Sequence, residues 1–437
     1  MTIQTPTRPG SAAPDDDPRG RRTSDAGPSA EAPRGGLAAR VSLGRLFAPV
    51  PNEFVLIAST AIVLTAIGLV MVLSATSATS TAAGLSPFEA VMKQAVFALI
   101  GLPMMFILSR MPVGFWKKIA WPLLGAATIF QLLVFVPGLG VSQGGNTNWI
   151  SIAGYTMQPS EFLKLALAIW VGMVLFRKQT RLAIWHHVFI PLVPVVIAVI
   201  GTVLAGHDLG TAMILLLIVL GGLFFSGVKL RIFTLPLIVA GGVAVYFAVT
   251  NSNRLARILS FASTDCNYYD ECYQPMHGLF GLARGGLFGL GLGNSKEKYS
   301  WLPAASNDYI FAITGEELGL IGCVVVLVLF AIYAVGAFHI IRRTDDAFVR
   351  IVAGGITVWI IGQALINIGV VLRVVPVLGV PLPFMSQGGT ALLSVLFASG
   401  VLLSLARSLP PHRAKAAARP ASTMARPARS ARGRLDG

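Results

Sequence analysis

Asp308 closes a polar stretch, residues 251–308, that also carries Arg254, Arg257, Arg284, Lys296 and Lys298 and is set between two long apolar runs. A carboxylate ionised near neutral pH can take a proton from a substrate hydroxyl. Neighbouring cations can hold an anion and stabilise charge developing on a leaving phosphate. Together they suit chemistry on a lipid-linked phosphate at a membrane surface. Position alone suits Asp308 equally well as the N-cap of the following helix.

Other polar groups stand where apolar residues would be cheaper. Glu161 and Lys164, in QPSEFLKLALAIW, are three apart on one helical face and can pair. They are either an internal ion pair or the polar floor of a substrate cavity. Gln363 and Asn367 share a helix face and suit interhelical hydrogen bonding. Asp208, beside His207 in AGHDLGTAM, is a helix cap or a ligand-binding group. Glu316 and Glu317 are adjacent, so they should point in different directions rather than form a catalytic pair. VPVLGVPLPFMSQGGT reads as a rigid outer turn. Its backbone at Ser386, Gly388 and Gly389 could hold an anion at the next helix start, or the stretch is a plain re-entrant turn. Cys323 lies in an apolar run, whereas Cys266 and Cys272 share the polar loop. In an oxidising compartment these two can form a disulfide; free thiols are the alternative.

The elements that position these groups are membrane spans. The chain of 437 residues is 54% hydrophobic and 12% charged, with mean hydropathy +0.73; soluble domains carry about 25% charged residues. The expected fold class is an all-α polytopic membrane protein. Its +15 charge gathers in tails and short loops, which implies anionic headgroups rather than nucleic acid. Ten stretches are apolar enough to span: 54–75, 91–108, 119–137, 162–176, 188–206, 211–225, 234–250, 310–338, 351–375 and 390–406. Lys and Arg occupy the connections 110–118, 177–187, 228–233 and 339–350 and are absent from 76–90 and 138–160. The first set is therefore cytoplasmic, both termini are cytoplasmic, and the loop between spans seven and eight faces out. Residues 1–50 and 407–437 are expected to be disordered tails around a membrane domain at 51–406, whose outer loop is 251–309. No signal peptide opens the chain.

Four motifs in order, MQPSEFLKLA (157–166), DLGTA (208–212), GGLFGLGLGNSKEKYSWLPAASNDYIFAITGEELGLIG (285–322) and INIGVVLRVVPVLGVPLPFMSQGG (366–389), resemble the SEDS family of cell-wall polymerases across about 50–407. The resemblance implies a ten-span fold with cytoplasmic termini and peptidoglycan glycosyltransferase activity on lipid II. It implies that Asp308, opening Asp-Tyr-Ile-Phe-Ala, is the catalytic base of an inverting transfer with undecaprenyl diphosphate leaving. Arg254, Arg257, Lys296 and Lys298 become candidates for that leaving group, and a divalent cation, Mg or Mn, could share the task. The implied partners are a class B penicillin-binding protein and other division proteins at the septum of the bacterial plasma membrane. The LGNS run favours the division branch over the elongation branch. A lipid II flippase and a non-catalytic scaffold are the rival classes. The chain departs from the family pattern at Asn148, where Arg is usual, at His207, where Pro is usual, and at Gln387, where Tyr is frequent.

Overall fold

The computed structural model describes residues 50–410, apart from 144–145, 153, 182–183, 271 and most of 235–266. Arg254, Arg257, Cys266, most of both expected tails and most of the seventh expected span lie outside the described residues.

The helices are α1 (Asn52–Ala82), α2 (Glu89–Leu108), α3 (Val113–Leu132), α4 (Ser160–Arg177), α5 (Trp185–Ala205) and α6 (Leu209–Ser226), then α7 (Tyr273–Gly285), α8 (Ile310–Arg343), α9 (Ala347–Val371) and α10 (Gly389–Arg407). Among the described residues, every expected span except the seventh is represented by a helix. Seven of these are long and apolar enough to cross a membrane: α1, α2, α3 with its extension to Phe135, α6, α8, α9 and α10. This is a multi-pass membrane protein.

Several boundaries differ from expectation. α1 runs to Ala82 rather than ending near residue 75. Its C-terminal end, SATSATSTA, is polar, and Thr76, Ser77, Thr79 and Thr81 return their hydroxyls to carbonyls one turn back. α3 begins at Val113 after Pro112, whose extended backbone starts the helix earlier than hydropathy suggests. The connection after α3 is not plain loop. It folds into an antiparallel sheet of β1 (Gly140–Gln143), β2 (Asn146–Ile152) and β3 (Tyr155–Met157), in that order. At the C-terminal end, Leu409 is buried and Arg343 donates to the carbonyl of Pro410, so ordered chain continues past residue 407.

The core packs α9 against α6, α4 and α8, while α10 lies against α2 and α1. Small residues bring the axes close: a Cβ on Gly172 would meet Val352 at 2.3 Å, and one on Gly222 would meet Val171 at 2.6 Å. Where α1 and α9 begin and α8 ends, Arg343 pairs with Glu53 at 2.6 Å and Lys117 with Asp346 at 2.7 Å.

α8 is broken at Gly319 (φ 70°, ψ −168°). The break parts the amides of Leu320 and Ile321 from the carbonyls of Glu316 and Glu317, their ordinary helical partners. The glycine-rich hairpin after α7 fills the gap. Leu320 and Ile321 donate to the carbonyls of Gly286 and Leu287, while Leu290 and Gly291 donate to those of Glu316 and Glu317. All four orphaned groups are thereby satisfied.

Candidate active site at the turn before α8

Asp308 is half-buried in the turn before α8. The helix N-cap is Tyr309, with no side-chain capping bond. Asp308 therefore stands one residue before the capping position. Tyr309 is fully buried, and its ring lies where a Cβ on Gly278 of α7 would be 2.7 Å away.

Three consecutive residues are gripped from the far side of the sequence. Gln387 donates its amide to Ser306 O at 2.8 Å and accepts from Ser306 Oγ at 2.6 Å. Ser386 Oγ donates to Asn307 O at 2.6 Å. Asn367 Nδ2 donates to Asp308 O at 2.8 Å and to Val380 O at 2.8 Å. Gly379 faces the carboxylate: a Cβ there would lie 3.8 Å from Asp308 Oδ2, on backbone at φ +67°.

Of the two readings of the 376–390 stretch, anion site or re-entrant turn, the hydrogen bonds accord with the turn. The amides of Ser386, Gln387 and Gly388 already donate to Leu382 O, Ser306 O and Gln94 Oε1. Gly389 opens α10 against Phe97, which a Cβ would meet at 2.2 Å. This segment clamps the Asp308 turn because its donors reach protein acceptors first.

Beneath lies the expected ion pair. Lys164 Nζ is 2.8 Å from Glu161 Oε1, both at most 2% exposed. Glu161 also accepts from Ser394 at 2.9 Å. Lys164 donates to Gln363 Oε1 at 3.0 Å and lies over the Trp359 ring, and Gln363 donates to Pro381 O at 2.8 Å. The pair thus connects through Gln363 to the segment that carries Gly379.

Asp208 caps α6 by accepting from the Thr211 amide at 2.9 Å, and it also accepts from Thr211 Oγ1, Asn148 and Gln158. Asn148 thus supplies a neutral hydrogen bond where the family's usual Arg would supply charge. His207 is exposed at φ 64°.

The two buried glutamates do not diverge as adjacency suggests. Both converge on Ser295. Glu316 accepts from Ser295 Oγ and the amides of Lys296 and Glu297; Glu317 accepts from the Ser295 amide and from Ser74. The break two residues on, at Gly319, opens room for the loop to wrap the helix end. Lys298 is drawn inward, 3.3 Å from Glu317 and bonded to Gly293 O, so its charge is neutralised in the interior instead of facing substrate. Lys296 remains exposed.

Three side chains escaped the sequence reading. Glu297, buried, joins His277 Nδ1 and Arg284 Nη1 at 2.6 Å each. Arg373, half-buried at φ 56°, donates to Met276 Sδ and Cys272 Sγ. Its only signal was a lone Arg at the end of an apolar run. Cys272 is disulfide-bonded and Cys323 is free. Among the described residues, no group of three or more His, Cys, Asp or Glu side chains could hold a metal ion.

Left-handed backbone at non-glycine residues is confined, among the described residues, to His207, Ser300, Ala304, Arg373 and Phe384. All five lie beside Asp208, in the approach to Asp308, or in the 372–388 stretch that clamps it. Such conformations cost about 1–3 kcal/mol each and cluster at functional sites.

The family model described as cell cycle protein, of FtsW, RodA and SpoVE, matches residues 54–410. The probable peptidoglycan glycosyltransferase FtsW of Mycobacterium tuberculosis is 36% identical over 391 residues, covering 90% of this chain and 74% of that protein. Stage V sporulation protein E of Bacillus subtilis is 34% identical over 357 residues, 81% of this chain and 97% of that one. Among solved structures, a chain of a peptidoglycan synthase complex coordinating polymerization and crosslinking superposes with TM-score 0.65 at 22% identity, covering 80% of this chain and 96% of its own. The rod shape determining protein RodA of Thermus thermophilus gives TM-score 0.59 at 23% identity, covering 81% and 97%. The structural likeness confirms the fold, and the match over most of the chain establishes that this protein belongs to the FtsW/RodA/SpoVE family of cell cycle proteins.

Proposed function

We propose that this protein is a peptidoglycan glycosyltransferase of the division type, polymerising lipid II into septal glycan strands from the plasma membrane. The observation that carries the reading is the grip on residues 306–308. Asn367, Ser386 and Gln387 hold three successive main-chain positions, which fixes the Asp308 turn beside Gly379. Relatives at 34–36% identity bear the name peptidoglycan glycosyltransferase FtsW.

In the proposed reaction, Asp308 accepts the proton of the acceptor sugar's 4-hydroxyl. The oxygen attacks the anomeric carbon of the donor strand from the face opposite its diphosphate. The anomeric C–O bond breaks with inversion, and its electron pair leaves on undecaprenyl diphosphate. Gly379 suits this position through its backbone, since φ +67° favours glycine, while a Cβ there would only reach contact distance, 3.8 Å, from the carboxylate. Lys296, exposed on the outer loop, is a candidate cation for the leaving diphosphate, with Arg254 and Arg257 on the same loop in sequence. A divalent cation, Mg or Mn, bound with the diphosphate would share that neutralisation.

The proposed partner is a class B penicillin-binding protein, in keeping with the fold match to a complex that coordinates polymerization and crosslinking. Both termini are assigned to the cytoplasm. Purified protein incubated with fluorescent lipid II, with and without the transpeptidase, tests the reading. Glycan ladders are expected. Transbilayer movement of lipid II without ladders would favour the flippase, and neither activity would favour a scaffold.

A further inference from the structure

The hairpin at residues 286–292, GLFGLGL, is apolar at every position that is not glycine. Leu287 is 60% exposed and Phe288 80% exposed. Residues of this kind at the tip of a water-facing loop would be an unexplained cost. Their depth supplies the explanation.

Two contacts between α1 and α8 mark the bilayer. Glu53 meets Arg343 at the inner end, and Ser74 donates to Glu317 at the outer end. The α1 segment between Glu53 and Ser74 is about 32 Å long at ~1.5 Å per residue. That is close to the ~30 Å hydrocarbon thickness. Glu317 therefore marks the outer boundary, and Leu320 and Ile321 lie within the next turn inward. Both are exposed, and they head the exposed apolar side of α8 that continues through Val324, Val325 and Val328. Leu287 is fastened to this level, since its carbonyl accepts from the Ile321 amide and that of Gly286 from Leu320. Irregular backbone is tolerated at such depth only when its polar groups are satisfied by protein. The four hydrogen bonds that join the hairpin to the Gly319 break meet that condition.

We propose that the hairpin is a lipid-immersed wedge, with Leu287 and Phe288 inserted among the outer-leaflet acyl chains beside α8. The occupant of this apolar surface is bilayer lipid, because the surface is continuous with the lipid-facing side of a membrane span. The wedge sets the height of the loop that follows, since Glu316 and Glu317 bind Ser295 immediately above it.

The test uses the full chain reconstituted in phosphatidylcholine–phosphatidylglycerol vesicles, with bimane on Phe288→Cys and, separately, on Lys296→Cys. Cys323 is buried and Cys272 is disulfide-bonded, so neither competes for label. The label at position 288 should emit at shorter wavelength than that at 296. It should be quenched several-fold more by lipid nitroxides high on the acyl chain than by aqueous iodide, with the order reversed at 296. Iodide quenching at 288 without nitroxide quenching would place the hairpin in water and overturn the proposal. Shielding from both quenchers would show a protein cover, another copy or another segment, and would overturn it equally. Neither outcome depends on enzymatic activity.

Discussion

Asn367 donates one side-chain amide to two carbonyls, those of Asp308 and Val380, at 2.8 Å each. A single buried group on α9 thus ties the main chain of the proposed base to the segment bearing Gly379. Asn367 acts as a positioning residue: it sets where Asp308 stands rather than what it does.

Asn367→Ala should leave two buried carbonyls without their donor. Each costs about 1–3 kcal/mol, so thermal stability in detergent should fall. Misplacement of a catalytic group by about 1 Å can cost on the order of 10²-fold in rate. Polymerisation kcat should drop by roughly that factor with KM for lipid II little changed. A change in KM alone would place Asn367 in substrate binding instead.

Gly210 opens α6 against the same segment from the other side. A Cβ there would lie 2.5 Å from Leu378 O and 3.1 Å from Val380 Cγ2. Backbone cannot yield as a side chain can, so Gly210→Ala should displace residues 378–380 and lower both melting temperature and polymerisation rate. Gly201→Ala, in α5 with nothing within 4 Å, is the control and should leave both unchanged. Equal behaviour of the two variants would show that the 378–380 segment adapts freely.

Lys164→Met should destabilise the protein by about 3–5 kcal/mol, because it leaves Glu161 charged and buried. Adding Glu161→Gln should recover much of the loss, since the pair is then replaced by uncharged groups of similar size. Melting curves of the single and double variants decide this. No recovery would mean that the ammonium is needed for its bond to Gln363 rather than for the pair.

Cys272 is disulfide-bonded, Cys323 is free, and the chain has three cysteines. Mass spectrometry of unreduced protein should find Cys266 joined to Cys272. Cys272→Ser should loosen the loop, seen as faster proteolysis, and reduce polymerisation by less than about tenfold, because the Asp308 turn is held by Asn367, Ser386 and Gln387. Separately alkylated Cys266 and Cys272 would contradict this.

The spans were legible because a bilayer imposes about 20 apolar residues on each crossing. The Glu161–Lys164 pair was legible because three residues on a helix fix a common face. What escaped depended on contacts across long stretches of chain. Gln387 reaches Ser306 across 81 residues and Asn367 reaches Asp308 across 59, and no local pattern encodes either. The inward turn of Lys298 depends on Glu317 and Ser74, which belong to two different helices. The break in α8 at Gly319 was not legible, since the apolar run resumes directly after Glu316 and Glu317 and the hairpin that repairs the break comes from more than twenty residues upstream. The sheet over residues 140–157 is short and polar, and it reads as loop.

The central claim is that Asp308 is the base. Asp308→Asn keeps the size of the side chain and leaves the main-chain carbonyl for Asn367, while removing the proton acceptor. Asn is as good an N-cap as Asp, and the helix N-cap is in any case Tyr309. Polymerisation of fluorescent lipid II by the purified variant with its transpeptidase, at matched protein level, is the most direct measurement. The rate should fall by about 10²–10⁴-fold with lipid II binding and melting temperature retained. Near-normal glycan ladders from Asp308→Asn would contradict the account and make Asp308 a structural residue.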